Sequence, residues 1–437
     1  MTSDKPTVSI FWFRRDLRLH DNKGLYYALR SSDNVLPLFI LDTQILDKLP
    51  AGDHRVDFIH HVLEELDQAL RETGSGLLVK QGKPLAVFQE LLDNYNFESV
   101  FCNSDHEPYG LDRDQQVRLF LDAHHIPLLS SVDHLIMEKN DVLKPDGFPY
   151  KVFTPYSRQW KHVLSKEHLQ GFSSRELSSH FYQGKISRFP FIRSADRPST
   201  AIPFPKADLH EDTIRSYDQR RDFPAIDGTT HVGTHLRFGT ISIRELVKKA
   251  MEWNETFLNE LIWREFYAMV LWHFPKVVNH AFKPEYDLIQ WRNDEEEFDR
   301  WKGGRTGYAM VDAGMRQLSA TGFMHNRLRM VTASFLSKHL LIDWRWGEAW
   351  FALKLFDYEL SSNNGGWQWC AGSGTDASPY FRIFNPMQQQ KKFDHELEYI
   401  KRWVPEHGTS EYPQPIIDHK MARERCLMVY KKALAQK

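Results

Sequence analysis

Asn326, Arg329 and Met330 recur at spacings of three and four, which places an amide, a guanidinium and a thioether on one helix face. That combination is unusual for a core. It suits a pocket that hydrogen-bonds a heterocycle and also touches it apolarly, although an ordinary half-exposed helix carries the same pattern. Farther on, Phe356-Asp-Tyr-Glu-Leu-Ser-Ser-Asn-Asn-Gly-Gly-Trp-Gln-Trp369 sets Asp357 and Glu359 ahead of two Asn residues and a Gly pair, which reads as a tight backbone turn. Carboxylates and amides there suit the edge of a flat conjugated ring, with Trp367 available to stack or to donate an electron. The carboxylates are too few for a hard-cation loop. Cys102, Cys370 and Cys426 show no paired spacing, so neither a metal site nor a disulfide framework is expected. Gly228-Thr-Thr-His-Val-Gly233 places hydroxyls beside glycines, as in a phosphate cradle, and reads equally well as a plain turn. Of the thirteen Trp residues, all but Trp12 and Trp160 fall between Trp253 and Trp403. Such a concentration implies a dense aromatic core or a pocket for flat rings and electrons.

These groups need elements to hold them. The first ~130 residues alternate strand and helix signals. Val8–Phe13 and Val35–Leu41 are apolar runs typical of buried strands, with shorter candidates at Leu77–Val79 and Ser99–Cys102. Val56, Ile59, Leu63, Leu66 and Leu70 mark one face of an intervening helix. Alternation of this kind predicts a Rossmann-like α/β domain with a parallel sheet over residues 1–130. The turn after the first strand, Arg14-Arg-Asp-Leu-Arg18, lacks the glycine pattern that lets backbone approach a pyrophosphate. Residues 131–204, punctuated by Pro145, Gly147, Pro149 and Pro155, read as a linker. Residues 205–437 read as all-helical, with helices at Ser242–Trp253, Thr256–Trp272, Ala309–Thr321, Asn326–His339 and Gly347–Leu355.

Composition sets outer bounds. A chain of 437 residues, 41% apolar and 26% charged, is an ordinary globular protein of two or three domains. A net charge of −2 excludes a strongly basic DNA coater and leaves room for a local basic patch. No apolar run approaches the ~18 residues of a membrane span. Met1–Pro6 shows no signal-peptide pattern, so an intracellular, cytoplasmic protein is expected.

The longest motifs make the chain recognisable. Trp12-Phe-Arg-Arg-Asp-Leu-Arg-Leu-His-Asp-Asn22, Asn259-Glu-Leu-Ile-Trp-Arg-Glu-Phe-Tyr267, Thr306-Gly-Tyr-Ala-Met-Val-Asp312, Met324-His-Asn-Arg-Leu-Arg-Met330, Asn363–Trp369 and Thr375–Pro386 together resemble the photolyase/cryptochrome family, and in particular its class I cyclobutane pyrimidine dimer photolyases. The resemblance spans nearly the whole chain. It implies FAD in the helical domain, held by Tyr217, the segment Thr229, Thr230, His231, Val232 and Gly233, and by Arg264, Asn326, Arg329, Asp357, Glu359 and Asn363. Gly233 stands where the family usually has Ser, and Glu359 where it usually has Asp. The resemblance places Asn363 opposite flavin N5, and makes Arg329 and Asp357 a salt bridge beside the ring. Glu260, Trp263, Asn326, Met330 and Trp369 match the pocket for a flipped-out dimer, with Glu260 hydrogen-bonding a thymine carbonyl. Arg221, Arg327 and Arg382 match phosphate contacts, with Trp263 and Trp369 also touching DNA. Trp291, Trp344 and Trp367 match an electron-transfer chain.

The implied activity is light-driven repair of cyclobutane dimers in ultraviolet-damaged DNA, with reduced FADH⁻ lending an electron to the dimer and recovering it. A monomer is expected, with methenyltetrahydrofolate as the favoured antenna near Asn103 and Glu107; a deazaflavin, a second flavin or an empty site stay open. Two alternatives belong to the same resemblance. A (6-4) photolyase would place histidines on the lesion-facing helix, where this chain has Asn326 and Met330. A cryptochrome photoreceptor would commonly carry a long C-terminal extension, and here the last helical run is Ala422–Leu434. A dark flavin oxidoreductase would need a substrate proton-handling group that no motif supplies.

Overall fold

The computed structural model describes residues 5–192, 202–207 and 209–436. Two compact units are present. One comprises Met1–Asp141, Val163–Ala207 and Val232–Lys249; the other comprises Val142–His162, Asp208–His231 and Ala250–Lys437.

The first unit is built on a five-stranded parallel sheet, β1 (Thr7–Phe13), β2 (Val35–Asp42), β3 (Leu78–Gly82), β4 (Asn96–Asn103) and β5 (Leu128–Ser131), in the order β3-β2-β1-β4-β5. β1 is central and buried on both faces, as its continuous apolar run requires. Val8, Ile10 and Trp12 share one side with Leu36, Leu38, Ile40, Val100 and Cys102, packed against Phe88 and Leu121 of two flanking helices. The expected α/β class is therefore observed. Leu128-Leu-Ser-Ser131 escaped detection because a four-residue edge strand with only Leu128 buried carries almost no periodic signal. In the turn after β1, Arg14 bonds Asp114 and the Asn103 carbonyl at the end of β4, so the chain's own guanidinium occupies the point where strand order reverses.

The units do not follow simple cuts at 130 and 204. Residues 163–192 belong with the sheet through hydrogen bonds such as Phe172 N to Asp21 and Ser174 to the Leu19 carbonyl, and 232–249 through buried charges. Arg244 bonds Asp133 at 2.7 Å and pairs with Asp21, Ser242 bonds Asp21, and Arg18 donates to the Gly239 carbonyl at 2.9 Å. These charges are buried, and removing one partner would strand the other. Burial pushes the Asp133 carboxyl up, but Arg18 and Arg244 outweigh it and hold it below the usual range. Conversely, 142–162 belongs to the helical unit. Phe153 N donates to Asp376, and Thr375 donates to the Lys151 carbonyl. Part of the expected linker, residues 193–201, lies outside the described residues.

The second unit is built from helices joined by loops, with one isolated bridge between Leu143 and Pro149 among its described residues. Helices occupy Glu255–His273, Ala309–Thr321, Trp344–Lys354 and His419–Leu434, close to the expected spans, and also Leu360–Ala371, where no helix was expected. Asn326–His339 reads as one helix from its pattern, but it is α-helical only to Ser334 and continues as a fully buried π-helix, Phe335–His339. The motif Thr306–Asp312 is architectural: Asp312, fully buried, accepts from Thr306 N and Oγ1 and from Gly307 N.

Candidate active site

A cavity of about 390 Å³ opens in the helical unit, within the size range of small-ligand sites. Three helices supply most of its wall. Glu255–His273 contributes Glu260, Trp263, Arg264 and Tyr267, which share a face at spacings of three and four, while Leu261, Ile262 and Phe266 are buried. Asn254 caps this helix by accepting from Phe257 N at 3.1 Å. Asn326–Ser334 contributes Asn326, Arg329, Met330 and Ala333, the face anticipated from spacing. Its cap is His325, whose Nδ1 accepts from Arg327 N at 3.1 Å. His325 is buried and does not line the cavity. Burial, reinforced by Arg327, depresses its pKa to about 4, so it is neutral at neutral pH.

Leu360–Ala371 contributes Ser362, Asn363, Gly366, Trp367, Trp369 and Cys370. Here the structure corrects the tight turn expected at the Gly pair, because both glycines lie inside the helix. A Cβ on Gly365 would sit 2.1 Å from the Tyr267 ring, so this glycine allows close helix approach. A Cβ on Gly366 would meet nothing within 4 Å and would project into open space.

Asn363 and its neighbour Glu348 form the most informative polar contact. Asn363 Nδ2 donates to the Glu348 carbonyl at 3.1 Å and to its Oε1 at 2.8 Å. A backbone carbonyl only accepts, so the amide orientation is determined, and Oδ1 is the atom left to face a ligand. Burial pushes the Glu348 carboxyl up, opposed by the Asn363 bond. Glu348 escaped the sequence reading, since a lone glutamate on a helix gives no signal of its own.

Charged groups in the wall are paired. Arg329 Nη2 bonds Asp357 at 2.9 Å and its Nε donates to the Met324 carbonyl. Arg264 grips Glu359 through two bonds of 3.0 and 2.9 Å. Arg221 pairs with Glu260. Burial pushes the Glu260 carboxyl up against the opposing pull of Arg221. Trp263 stacks on Phe153 at 3.8 Å and 5°, which makes its ring a rigid wall. Phe153 was hidden because it comes from the expected linker.

Trp367 is buried, touching Phe351 at 4.9 Å and Trp301 at 6.1 Å between centroids. Its Nε1 has no hydrogen-bond partner among the described residues. Trp344 belongs to the same core, and half-buried Trp291 packs against that core as well. A Cβ on Gly347 would fall 2.0 Å from Trp367 and 2.5 Å from Leu336. Gly347→Ala is therefore expected to cost about 1–3 kcal/mol through overpacking and to loosen the Trp367 wall; thermal melting followed by bound-chromophore fluorescence checks both effects.

Several expected site residues stand outside the cavity wall. Tyr217 packs on Phe257 at 5.2 Å beneath the Arg221 guanidinium. Thr229, Thr230 and His231 fall in the helical unit, whereas Val232 and Gly233 fall in the sheet unit, at the start of the helix Gly233–Phe238. Arg327 pairs with Asp222 at 2.6 Å and lies over Phe393. Arg382 is exposed, with no side-chain ion pair among the described residues. The antenna residues are committed within their own unit. Asn103 is buried, accepting from Gly24 N and donating to Asn22 at 2.8 Å, while Glu107 accepts from Arg15 at 2.8 Å.

The lining fits a flavin ring. An amide acceptor, two fixed guanidiniums and a side-chain-free strip at Gly366 match a flat heterocycle with polar edges and an apolar body. Two family models match the chain: DNA photolyase over residues 9–173, and the FAD binding domain of DNA photolyase over residues 257–409. A Synechococcus protein named deoxyribodipyrimidine photo-lyase is 36% identical over 96% of this chain and 96% of its own. The Escherichia coli K12 protein of the same name is 36% identical over 98% of this chain and 99% of its own. A class III photolyase structure from Agrobacterium tumefaciens matches with a TM-score of 0.85 and 32% identity, covering 100% of this chain and 99% of that one.

Proposed function

The chain belongs to the DNA photolyase family, and on that premise we propose that it repairs cyclobutane pyrimidine dimers in ultraviolet-damaged DNA, driven by light absorbed by FAD. The observation that carries this reading is the single cavity walled by Glu260, Trp263, Asn326, Met330 and Trp369 together with Arg264, Arg329 and Asn363. FAD held by Arg264, Arg329 and Asn363 would supply, in its reduced form, the reversible light-driven one-electron chemistry.

The chain's own residues do the rest. Asn363, fixed by Glu348, turns Oδ1 to accept from a ring N–H. Arg329, fixed by Asp357, provides a cation that favours an anionic ring. Trp263 and Trp369 pack against the saturated, non-planar dimer after it leaves the stack, an extrusion made cheaper by its poor pairing. Glu260 faces the dimer carbonyl and stabilises charge placed there. In the complex with damaged DNA, Arg382, Arg221 and Arg327 take duplex phosphates. One unit of one chain supplies the entire wall, so a monomer suffices. Among the described residues no helix is long and apolar enough to cross a membrane.

A (6-4) lesion is disfavoured because the histidine nearest the lesion-facing helix, His325, is buried in its capping role. The deciding experiment gives reduced, FAD-loaded protein a thymine-dimer oligonucleotide in light and in darkness. Restored thymine in light alone is expected. Failure with FAD and lesion DNA both bound would end the cyclobutane reading and turn attention to (6-4) substrates and photoreception.

A further inference from the structure

The two arginines assigned to phosphate near the cavity are both already bound to carboxylates. Arg221 Nη1 donates to Glu260 Oε1, and Arg327 Nη2 donates to Asp222 Oδ1 at 2.6 Å. Arg382, by contrast, is exposed and has no such partner among the described residues. A carboxylate and a phosphate offer a guanidinium the same charge-assisted bonds. Arg221 spends one of its N–H groups on Glu260, so a duplex phosphate that draws the guanidinium away from the cavity wall must break that bond.

What happens to Glu260 then depends on the DNA. Its side chain is about two-thirds buried in the cavity wall, and Arg221 is its one hydrogen-bond partner among the described residues. With an intact duplex nothing enters the cavity, so drawing Arg221 away leaves a half-buried carboxylate with no partner, an expensive outcome. With a flipped-out dimer, the base edges replace Arg221 on Glu260. We propose that the Arg221–Glu260 ion pair is a lesion-gated latch: Glu260 withholds Arg221 from the backbone until a dimer in the cavity claims the carboxylate. This rests on the photolyase reading of the cavity and makes Arg221 a selectivity determinant rather than a constant anchor. Intact DNA is held through open charges such as Arg382, and damaged DNA gains Arg221 in addition.

Matched duplexes with and without one thymine dimer test the latch by equilibrium binding to FAD-loaded protein. Arg221→Gln is expected to weaken binding of the damaged duplex by about tenfold or more, the scale of one charge-assisted contact, and to leave the intact duplex within about twofold. Equal weakening of both would overturn the latch, because Arg221 would then be engaged in either complex. Glu260→Gln keeps the shape of the side chain and releases Arg221. It is expected to tighten binding of the intact duplex several-fold and to steepen its salt dependence by about 0.9 in log–log slope, one extra phosphate contact. Intact-duplex affinity and slope unchanged from wild type would also overturn it, since a glutamate that merely touches the lesion has no influence there. That arm uses no dimer, so it decides the latch separately from the cavity's assignment. Lack of any dimer preference in the wild-type protein would instead count against the proposed function. Flavin absorbance in each variant reports an intact fold.

Discussion

Glu260→Ala is expected to lower the number of dimers repaired per absorbed photon several-fold while FAD content is retained. An opened-up electron on the dimer has two fates, ring splitting or loss of the electron before splitting. Glu260 sits in a wall with Trp263 beside it and Asn326 and Met330 from a second helix. A bound dimer would displace water there against aromatic and thioether surface, where one bond to a charged group contributes about 1.5–3 kcal/mol. Losing that bond changes a competition between two rates by about tenfold or more. Burial already pushes the Glu260 carboxyl up, and displacing Arg221 removes the group that opposes this shift. A dimer that takes Arg221's place therefore meets a carboxyl readier to donate a proton in a hydrogen bond. Quantum yield with saturating damaged oligonucleotide is the measurement, and a wild-type yield in the variant would remove Glu260 from the chemistry.

Trp291→Phe should suppress light-driven activation by external electron donors by about tenfold or more, on the premise that removing a redox-active link breaks a hopping chain. The same variant, reduced chemically, should repair dimers as well as the wild type. Phe preserves an aromatic ring at a half-buried position but is far harder to oxidise. Trp291 packs against the core that contains Trp344 and Trp367, and on its other side it meets Tyr430 edge-on at 6.1 Å. Following photoreduction by absorbance, beside a repair assay on chemically reduced protein, separates activation from catalysis. Unchanged photoreduction would mean another entry route. Trp301, fully buried and 6.1 Å from Trp367, is the first residue to replace in that event.

Much of this site was legible because helical periodicity is local. Spacing alone put Asn326, Arg329 and Met330 on one face, and the structure lines the cavity with all three. The long motifs then tied Glu260, Trp263, Asn363 and Trp369 to the same pocket. Other features were illegible for definite reasons. Gly365-Gly366 looked like a turn because glycine signals backbone freedom, yet a neighbouring helix demanded the absence of a side chain at Gly365. Phe153 lay in a segment rich in turn residues, and only its 3.8 Å stack on Trp263 reveals its part in the wall. Glu348 carried no pattern at all until Asn363 was seen donating to it.

By itself, then, the sequence determined which residues share a face, which runs become buried strands and helices, and which family the chain resembles. Those follow from forces acting within about two helical turns or along one strand. Only the tertiary structure decided the pairings that give the site its charge. Arg221 with Glu260, Arg264 with Glu359 and Arg329 with Asp357 join residues 39, 95 and 28 positions apart. Packing of the apolar faces chooses such partners, because a buried guanidinium must find whichever carboxylate the folded helices bring within reach.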